Sequence, residues 1–267
     1  MIDIYQAIAL AVLQGLTEFL PISSSAHLVF PSLLLGWPDQ GLAFDVAVHV
    51  GTLAAVVFYY RHTLVELLLG WLGSLTGSGS NEQSRTVWYL VLATIPAGLV
   101  GLVAQDLIEN HLRSLAVIAT TTLVFGVLLG IADRYAIKTP GDRALSLPVA
   151  MFIGLAQALA PIPGVSRSGV TITAALLLNM SRQDAARFSF LLSIPVISSA
   201  GLLKMWVLLS ADEPFNWQMM AVGTLVSGVV AYACIAVFLR LLDRVGMMPF
   251  VYYRLVLAAL LYTVWLA

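Results

Sequence analysis

Six long apolar runs constrain this chain more than any other feature, because each is long enough to cross a lipid bilayer. The hydrocarbon core of a bilayer is about 30 Å thick, and a helix needs about 20 mainly apolar residues to cross it. The runs occupy residues 44–60, 86–104, 115–132, 188–209, 219–239 and 251–267. Hydrophobic residues make up 60% of the chain and charged residues 10%, whereas soluble proteins contain about 25% charged residues. The sequence therefore predicts an all-α, polytopic membrane protein.

Charge and cysteine content exclude other classes. The formal net charge is -1 and like charges form no block, so nothing indicates a nucleic-acid or acidic partner. Cys234 is the single cysteine, which excludes an internal disulfide. The first residues, MIDIYQ, lack the basic region of a cleaved signal peptide, so we expect the first apolar segment to belong to the mature fold.

Two further apolar regions are interrupted by polar residues and do not fit a simple span. Residues 2–36 contain QGLTEFLPISSSAH, and residues 147–179 contain APIPGVSRSG. Each pattern predicts two short helices on either side of a polar turn. Non-helical backbone is tolerated inside a bilayer only where protein buries it or where it lines a wet cavity. We therefore predict two re-entrant hairpins.

The two hairpin sequences align with each other. Gln14 aligns with Gln157, and residues 21–25 align without a gap on residues 164–168. This match predicts a duplication within a single integrated membrane domain, with halves at residues 1–138 and 139–267. Each half then holds one hairpin followed by three spans. Because three is odd, the second half starts on the opposite side of the membrane, and the repeats are predicted to be inverted.

Basic residues are distributed unevenly under this topology. One side receives only Arg113 and Lys204, while Arg167 lies at the second hairpin turn. The other side receives Arg61, Arg85, Arg134, Lys138, Arg143, Arg182, Arg187, Arg240, Arg244 and Arg254. Basic residues concentrate on the cytoplasmic side of membrane proteins, so both termini are predicted to lie outside.

Inverted repeats with broken helices bring their turns together near the middle of the bilayer. The helices after the two turns are predicted to begin near Ser23 and Ser166. Helix N-termini carry unpaired N–H groups, which bind anions. Arg167 adds a guanidinium, whose insertion at the centre of a membrane costs about 3 kcal/mol. It either pairs with Glu18 as a strut between helices or binds an anion, and the neighbouring hydroxyls favour the anion.

Polar residues of the first hairpin are candidates for chemistry. Gln14 and Glu18 share a helix face, where Glu18 is suited to hold a divalent cation or to act as a base. The Gln14 amide either adds a metal ligand or bonds a neighbouring helix. His27 follows three serines, of which Ser24 is preferred as the nucleophile because it aligns with Arg167. Asp45 and His49 have metal-compatible spacing, but two residues favour a structural or cavity-lining role.

The two turn sequences closely resemble the signature motifs of the bacterial undecaprenyl-diphosphate phosphatase family, the bacitracin-resistance proteins. The stretches FSFLLSIP and PFVYYRL and the chain length also resemble that family, so the likeness covers nearly the whole chain. The matching motifs are an E/QxxxE pair, a serine–histidine element and PGxSRSxxT, which contain Glu18, Ser24, His27, Ser166, Arg167 and Thr171. Many members have glutamate where this chain has Gln14, which puts a mechanism with two carboxylates on this helix in doubt.

The resemblance implies hydrolysis of undecaprenyl diphosphate in the bacterial inner membrane, with Mg²⁺ or Ca²⁺ as cofactor. It also implies a homodimer and a site open to the periplasm. The predicted catalytic residues are Glu18, Ser24, His27 and Arg167, and the predicted metal ligands are Glu18 and Gln14. The predicted diphosphate contacts are Ser23, Ser25, Gly164, Ser166, Arg167, Ser168 and Thr171.

Three nucleophiles remain open: Ser24 with His27 as base, His27 itself, or an activated water. A different class of function also remains open, because secondary transporters share inverted repeats and anion donors at mid-membrane. Such a transporter or flippase would carry phosphate or polyprenyl phosphate.

Overall fold

The computed structural model describes residues 2–77, 79–138, 143–210 and 216–266, and within these ranges every regular element is an α-helix. The predicted boundary between the halves, at residue 139, lies outside the described residues. The helices are α1 Ile4–Thr17, α2 Ser24–Leu35, α3 Gly41–Tyr59, α4 Arg61–Leu75, α5 Glu82–Val103, α6 Gln105–His111, α7 Leu115–Lys138, α8 Leu147–Gln157, α9 Arg167–Leu177, α10 Arg182–Leu209, α11 Trp217–Val245 and α12 Met248–Leu266.

Six of these helices are long and apolar enough to cross a membrane: α3, α5, α7, α10, α11 and α12. They coincide with the six apolar runs, so the predicted all-α polytopic fold is confirmed. The sequence did not predict α4, whose 15 residues are fewer than a helix needs to cross the hydrocarbon core of a bilayer. Nor did it predict the short helix α6.

Both interrupted regions consist of two short helices joined by a turn, as predicted. In the first, α1 begins with a capping box at Asp3 and α2 begins after Ser23. In the second, α9 begins after Ser166. The backbone φ angles of these two serines are 76° and 71°, a conformation that costs a non-glycine residue energy. The two turns therefore share one strained geometry at the start of their second helices.

Helices from the first part of the chain, up to residue 138, pack against helices from the part after it. α3 and α1 pack on α11, α8 packs on α5, and α12 packs on α7. The approach of α3 to α11 is closest at Gly51, where a Cβ would overlap the Ser227 hydroxyl and the Thr224 carbonyl. The core surrounds the second hairpin, because α9 is buried continuously from Ser168 to Leu176.

The ends of several membrane-spanning helices lie together on one side of the bundle. Arg182 at the start of α10 donates to Asp133 near the end of α7, with Nε–Oδ1 and Nη2–Oδ2 distances of 2.7 and 2.9 Å. The Met247 amide next to α12 also donates to this buried carboxylate. Gln183 donates to the Leu239 carbonyl of α11. Basic residues near these helix ends thus lie on the same side of the bundle.

Arg254 is the exception, and its predicted place on the basic side is wrong. Its side chain lies in α12 and is fully buried. The guanidinium donates to the Pro21 carbonyl in the first hairpin turn and to the Val165 carbonyl in the second. Counting basic residues near span ends could not separate this buried arginine from the solvated ones.

Candidate active site at the paired hairpin tips

The two hairpin turns touch each other inside the bundle. We call residues 18–25 the first tip and residues 161–168 the second tip. The Ser168 hydroxyl of the second tip donates to the Leu20 carbonyl of the first, with an Oγ–O distance of 2.8 Å. The local geometry also matches: the hydroxyls of Ser23 and Ser25 lie 3.2 Å apart, as do those of Ser166 and Ser168.

Glu18 is the point where side chains of both tips converge. Its buried carboxylate accepts from Arg167 Nη2 through Oε1, and from Gln14 Nε2 and Ser24 Oγ through Oε2, all at 2.9 Å. Nε2 of His49 on α3 lies 3.7 Å from Oε2. The pairing of Arg167 with Glu18, one of the two interpretations open at the sequence level, is therefore present. An anion-binding role for Arg167 stays a prediction beside it.

Arg167 is held firmly at the start of α9. Its Nη1 donates to the Ser189 carbonyl of α10 at 3.2 Å, and its Cζ lies 5.7 Å from the centroid of the Phe19 ring. The side chain is 11% exposed, enough for contact with a ligand. A guanidinium fixed in this way presents a planar set of donors, which matches the geometry of a phosphate.

Ser24 differs from its two serine neighbours. Ser23 is buried and Ser25 is exposed, whereas Ser24 is half-buried and donates its hydroxyl hydrogen to Glu18. A hydroxyl hydrogen-bonded to a carboxylate is the arrangement of a nucleophile with its base. Ser24 and Arg167, which align in the sequence, thus contact the two different oxygens of one carboxylate.

His27 faces away from this carboxylate and towards α12. Its Nδ1 lies 2.7 Å from the Ser23 carbonyl, which only accepts, so Nδ1 carries the hydrogen. In the neutral ring, Nε2 then accepts from the Tyr253 hydroxyl at 2.6 Å. The two rings stack with their centroids 5.6 Å apart. The role of His27 as base for Ser24 stays a prediction, and its lone pair here faces Tyr253.

Other predicted diphosphate contacts have internal partners. Ser166 caps α9 by accepting from the Gly169 amide, and the Thr171 hydroxyl donates to the Arg167 carbonyl. Gly164 has φ 89°, and a Cβ there would overlap the Thr121 hydroxyl, so only glycine fits. These residues build the second tip, and their contacts with a diphosphate stay predictions.

The oxygen atoms at Glu18 and Gln14 suit a cation whose other ligands come from the substrate. The described residues contain no group of three His, Cys, Asp or Glu that could hold a metal by themselves. Gln14 Oε1, however, is buried without a hydrogen-bond partner. Mg²⁺ commonly takes only one or two carboxylates and completes its shell with phosphates and water. The orphaned amide oxygen and the Glu18 carboxylate supply two such ligands once the Gln14 amide turns, since its Nε2 here donates to Glu18 Oε2.

Three residues near the tips were missed or given lesser roles by the sequence. His49 was expected to line a cavity and lies beside Glu18, while Asp45 accepts from Gln40 instead. Tyr253 and Arg254 were not singled out. For Arg254 a signal was present, because a charged residue inside an apolar span marks a functional site by default.

Comparison with known proteins identifies the family of this chain. A family model described as "Bacitracin resistance protein BacA" matches residues 7–260. A relative from Teredinibacter turnerae, named undecaprenyl-diphosphatase, is 58% identical over 97% of this chain and 98% of its own length. Relatives of the same name from Saccharophagus degradans and Alcanivorax borkumensis are each 57% identical over 99% of this chain and 100% of their own length. The chain therefore belongs to the BacA family of bacitracin-resistance proteins.

Proposed function

We propose that this protein is a membrane phosphatase that hydrolyses undecaprenyl diphosphate to undecaprenyl phosphate and inorganic phosphate. The reaction recycles the lipid carrier used in cell-wall synthesis. The observation that carries the proposal is the convergence of Ser24 and Arg167, from opposite tips, on the two oxygens of Glu18. The names of the relatives support the same substrate.

A secondary transporter or flippase is the competing function. Moving phosphate or polyprenyl phosphate across a membrane requires donors such as Arg167, but it does not require a hydroxyl activated by a carboxylate. The hydrogen bond from Ser24 to Glu18 therefore favours hydrolysis. The relatives, named as diphosphatases, favour it as well.

In the first step, the terminal phosphate of the substrate lies between the tips and is neutralised by Arg167. Ser24 Oγ attacks the terminal phosphorus while Glu18, which accepts its hydrogen bond, takes its proton in place of the predicted base His27. The new Oγ–P bond forms as the bond from phosphorus to the bridging oxygen breaks, and undecaprenyl phosphate leaves. Water then hydrolyses the phosphoserine and releases inorganic phosphate. Attack by His27 or by an activated water are the alternatives.

His27 and Tyr253 are suited to move a proton during the second step. The Ser23 carbonyl fixes the hydrogen on Nδ1, so Nε2 accepts from the Tyr253 hydroxyl and can take its proton. Tyr253 is 44% exposed, so its hydroxyl connects Nε2 with the surface of the bundle. The water that attacks the phosphoserine must lose a proton, and we assign its acceptance to this pair.

A divalent cation, Mg²⁺ or Ca²⁺, is part of the proposal. Glu18 and Gln14 Oε1 would hold it, together with phosphate oxygens of the substrate. When bound, it supplies positive charge that neutralises the transferred phosphoryl group. Ser23, Ser25 and the start of α9 would bind the remaining oxygens, while Ser168 donates to the Leu20 carbonyl.

The membrane arrangement is proposed from the pairing of helices and from charge. Contacts of α1 with α11 correspond to those of α8 with α5 when the two halves are exchanged, which supports inverted repeats. The grouped basic ends support a cytoplasmic face there, with both termini and the site opening outside. The substrate's tail would remain in lipid. A homodimer stays a prediction, to be checked by the mass of the protein in detergent.

The site assignment predicts loss of activity in two conservative variants. Purified protein in detergent with Mg²⁺ should release phosphate from a polyprenyl diphosphate. Arg167→Lys and Glu18→Gln should each lower turnover at least about 100-fold, because lysine loses the planar donor set that faces the phosphate and glutamine cannot take the Ser24 proton. Arg182→Lys alters another arginine–carboxylate pair, at the far end of the bundle, and should retain activity. Full activity in Arg167→Lys would contradict the site assignment. No phosphate release by the wild type with either Mg²⁺ or Ca²⁺ would favour a transporter.

The nucleophile assignment predicts a phosphorylated serine. Rapid acid quenching during turnover, followed by peptide mass spectrometry, should find phosphate on Ser24. Ser24→Ala should release almost no phosphate. Ser32→Ala, two turns further along the same helix, should behave as wild type because the Ser32 hydroxyl donates to the Val29 carbonyl within that helix. Label on His27 overturns the assignment, and absence of any covalent label favours direct attack by water.

The cation site predicts opposite effects of two substitutions at one position. Gln14→Glu adds a second anionic oxygen beside Glu18, and should lower the Mg²⁺ concentration for half-maximal turnover about tenfold. Gln14→Ala removes the amide oxygen and should raise that concentration. Titration of activity with Mg²⁺ after chelation measures both. Equal Mg²⁺ requirements in the two variants would place the cation elsewhere.

The proposed orientation predicts which loops an impermeant thiol reagent reaches. In a Cys234→Ser background, Asn110→Cys should react in intact spheroplasts, because residue 110 precedes α7 on the outer side. Ser80→Cys lies at the other end of α5 and should react only after the membrane is opened. The reverse pattern of labelling places the termini inside.

A further inference from the structure

Arg254 has an environment that the proposed reaction leaves unexplained. It is fully buried, and its hydrogen bonds in the described residues all go to backbone carbonyls. Nη1 donates to Pro21 of the first tip region at 3.2 Å and to Val165 of the second tip at 3.1 Å. Nη2 donates to Gly164 at 2.8 Å. Further contacts reach α7 at the carbonyls of Thr121 and Thr122.

A buried cation is costly unless its surroundings compensate it. The ion pairs of the described residues involve other arginines, namely Arg167 with Glu18 and Arg182 with Asp133. Arg254 is instead surrounded by carbonyl dipoles. A guanidinium suits this position because its donors diverge in a fixed plane, so one side chain reaches carbonyls from three chain segments.

Neighbouring glycines leave room for this side chain. A Cβ at Gly126 of α7 would lie 3.0 Å from Arg254 Cβ and 3.4 Å from Nε. A Cβ at Gly169 of α9 would lie 3.0 Å from Nη1. The side chain therefore fits closely, and a methyl group on Gly126 would press on its Cβ and Nε, which must shift by a few tenths of an ångström.

We propose that Arg254 is a positioning residue of the phosphatase reaction, which fixes the backbones of both tips so that Ser24, Glu18 and Arg167 meet. The inference rests on the proposed function. Pro21 lies between Glu18 and Ser24 in the chain, and Val165 lies two residues before Arg167. The residues that Arg254 bonds are thus close neighbours of the reacting groups on both tips.

The alignment of reacting groups is sensitive to small displacements. A shift of about 1 Å in a reacting group can cost about 100-fold in rate. Apart from Arg254, the two tips are linked by the Ser168 hydroxyl on the Leu20 carbonyl and by the Arg167–Glu18 side-chain pair. Loss of the guanidinium would leave the tip backbones dependent on such single contacts. It would also leave the carbonyls of Pro21, Gly164 and Val165 without their donors.

The first test compares turnover in four variants. Arg254→Lys keeps the charge but cannot span the carbonyls, and should lower kcat about 10- to 100-fold with little change in KM. Arg254→Met should lower it further. Gly126→Ala presses on Arg254 and should lower kcat several-fold. Gly130→Ala lies one turn along α7 and presses instead on Val251, so it is the matched control and should keep its kcat.

The second test does not depend on activity. Hydrogen exchange followed by mass spectrometry should show faster exchange in peptides covering both tips in Arg254→Lys and Gly126→Ala. Gly130→Ala should exchange as wild type. Thermal unfolding in detergent establishes that the compared variants are folded, and Gly126→Ala keeps the experiment informative should Arg254→Lys fail to fold.

The outcomes separate the inference from the proposed function. Wild-type kcat in Arg254→Lys, or equal kcat losses in Gly126→Ala and Gly130→Ala, overturns the positioning role. Unchanged exchange at either tip in both Arg254→Lys and Gly126→Ala overturns it as well, even where no phosphate is released. Absence of phosphate release by wild type contradicts the phosphatase, while faster exchange at both tips still supports Arg254 as the residue that holds them.

Discussion

Broken backbone inside an apolar bundle is the constraint on which the rest of this structure depends. Each hairpin turn leaves backbone carbonyls without helical partners. A bilayer core holds no water to hydrogen-bond them, and a carbonyl without a hydrogen bond there costs several kcal/mol. In this protein the turn carbonyls accept hydrogen bonds from a serine of the opposite turn and from one arginine. Ser168 donates to the Leu20 carbonyl, and Arg254 donates to Pro21 and Gly164. The juxtaposition that stabilises the turns is also the one that assembles the site.

The charges at the tips follow from the same constraint. Glu18 is buried with Arg167, and removal of one partner from such a pair leaves the other charge uncompensated. Gln14 and Ser24 complete the shell of the carboxylate. A site with this composition is stable without substrate, because every strong donor already has an acceptor. A diphosphate then competes with Glu18 for Arg167, so the ion pair and anion binding describe two states of one guanidinium.

The sequence predicted those features that depend on local pattern. Run length identified the six spans, and the serines before the second helix of each hairpin predicted the helix starts after Ser23 and Ser166. It did not predict contacts between distant segments. Tyr253 meets His27 across 226 positions, and Arg254 meets Pro21 across 233. Positive-inside counting misplaced Arg254, because it assumes that a basic residue near a span end is solvated.

The difference between the two tips is what permits chemistry at their junction. Under the proposed duplication, Ser24 and Arg167 occupy equivalent positions on equivalent backbones and contact opposite oxygens of Glu18. Two arginines there would bind an anion but supply no nucleophile. Two serines would leave a buried carboxylate without a cation. One serine and one arginine satisfy both requirements, since the guanidinium offsets the charge that the carboxylate needs in order to activate the hydroxyl.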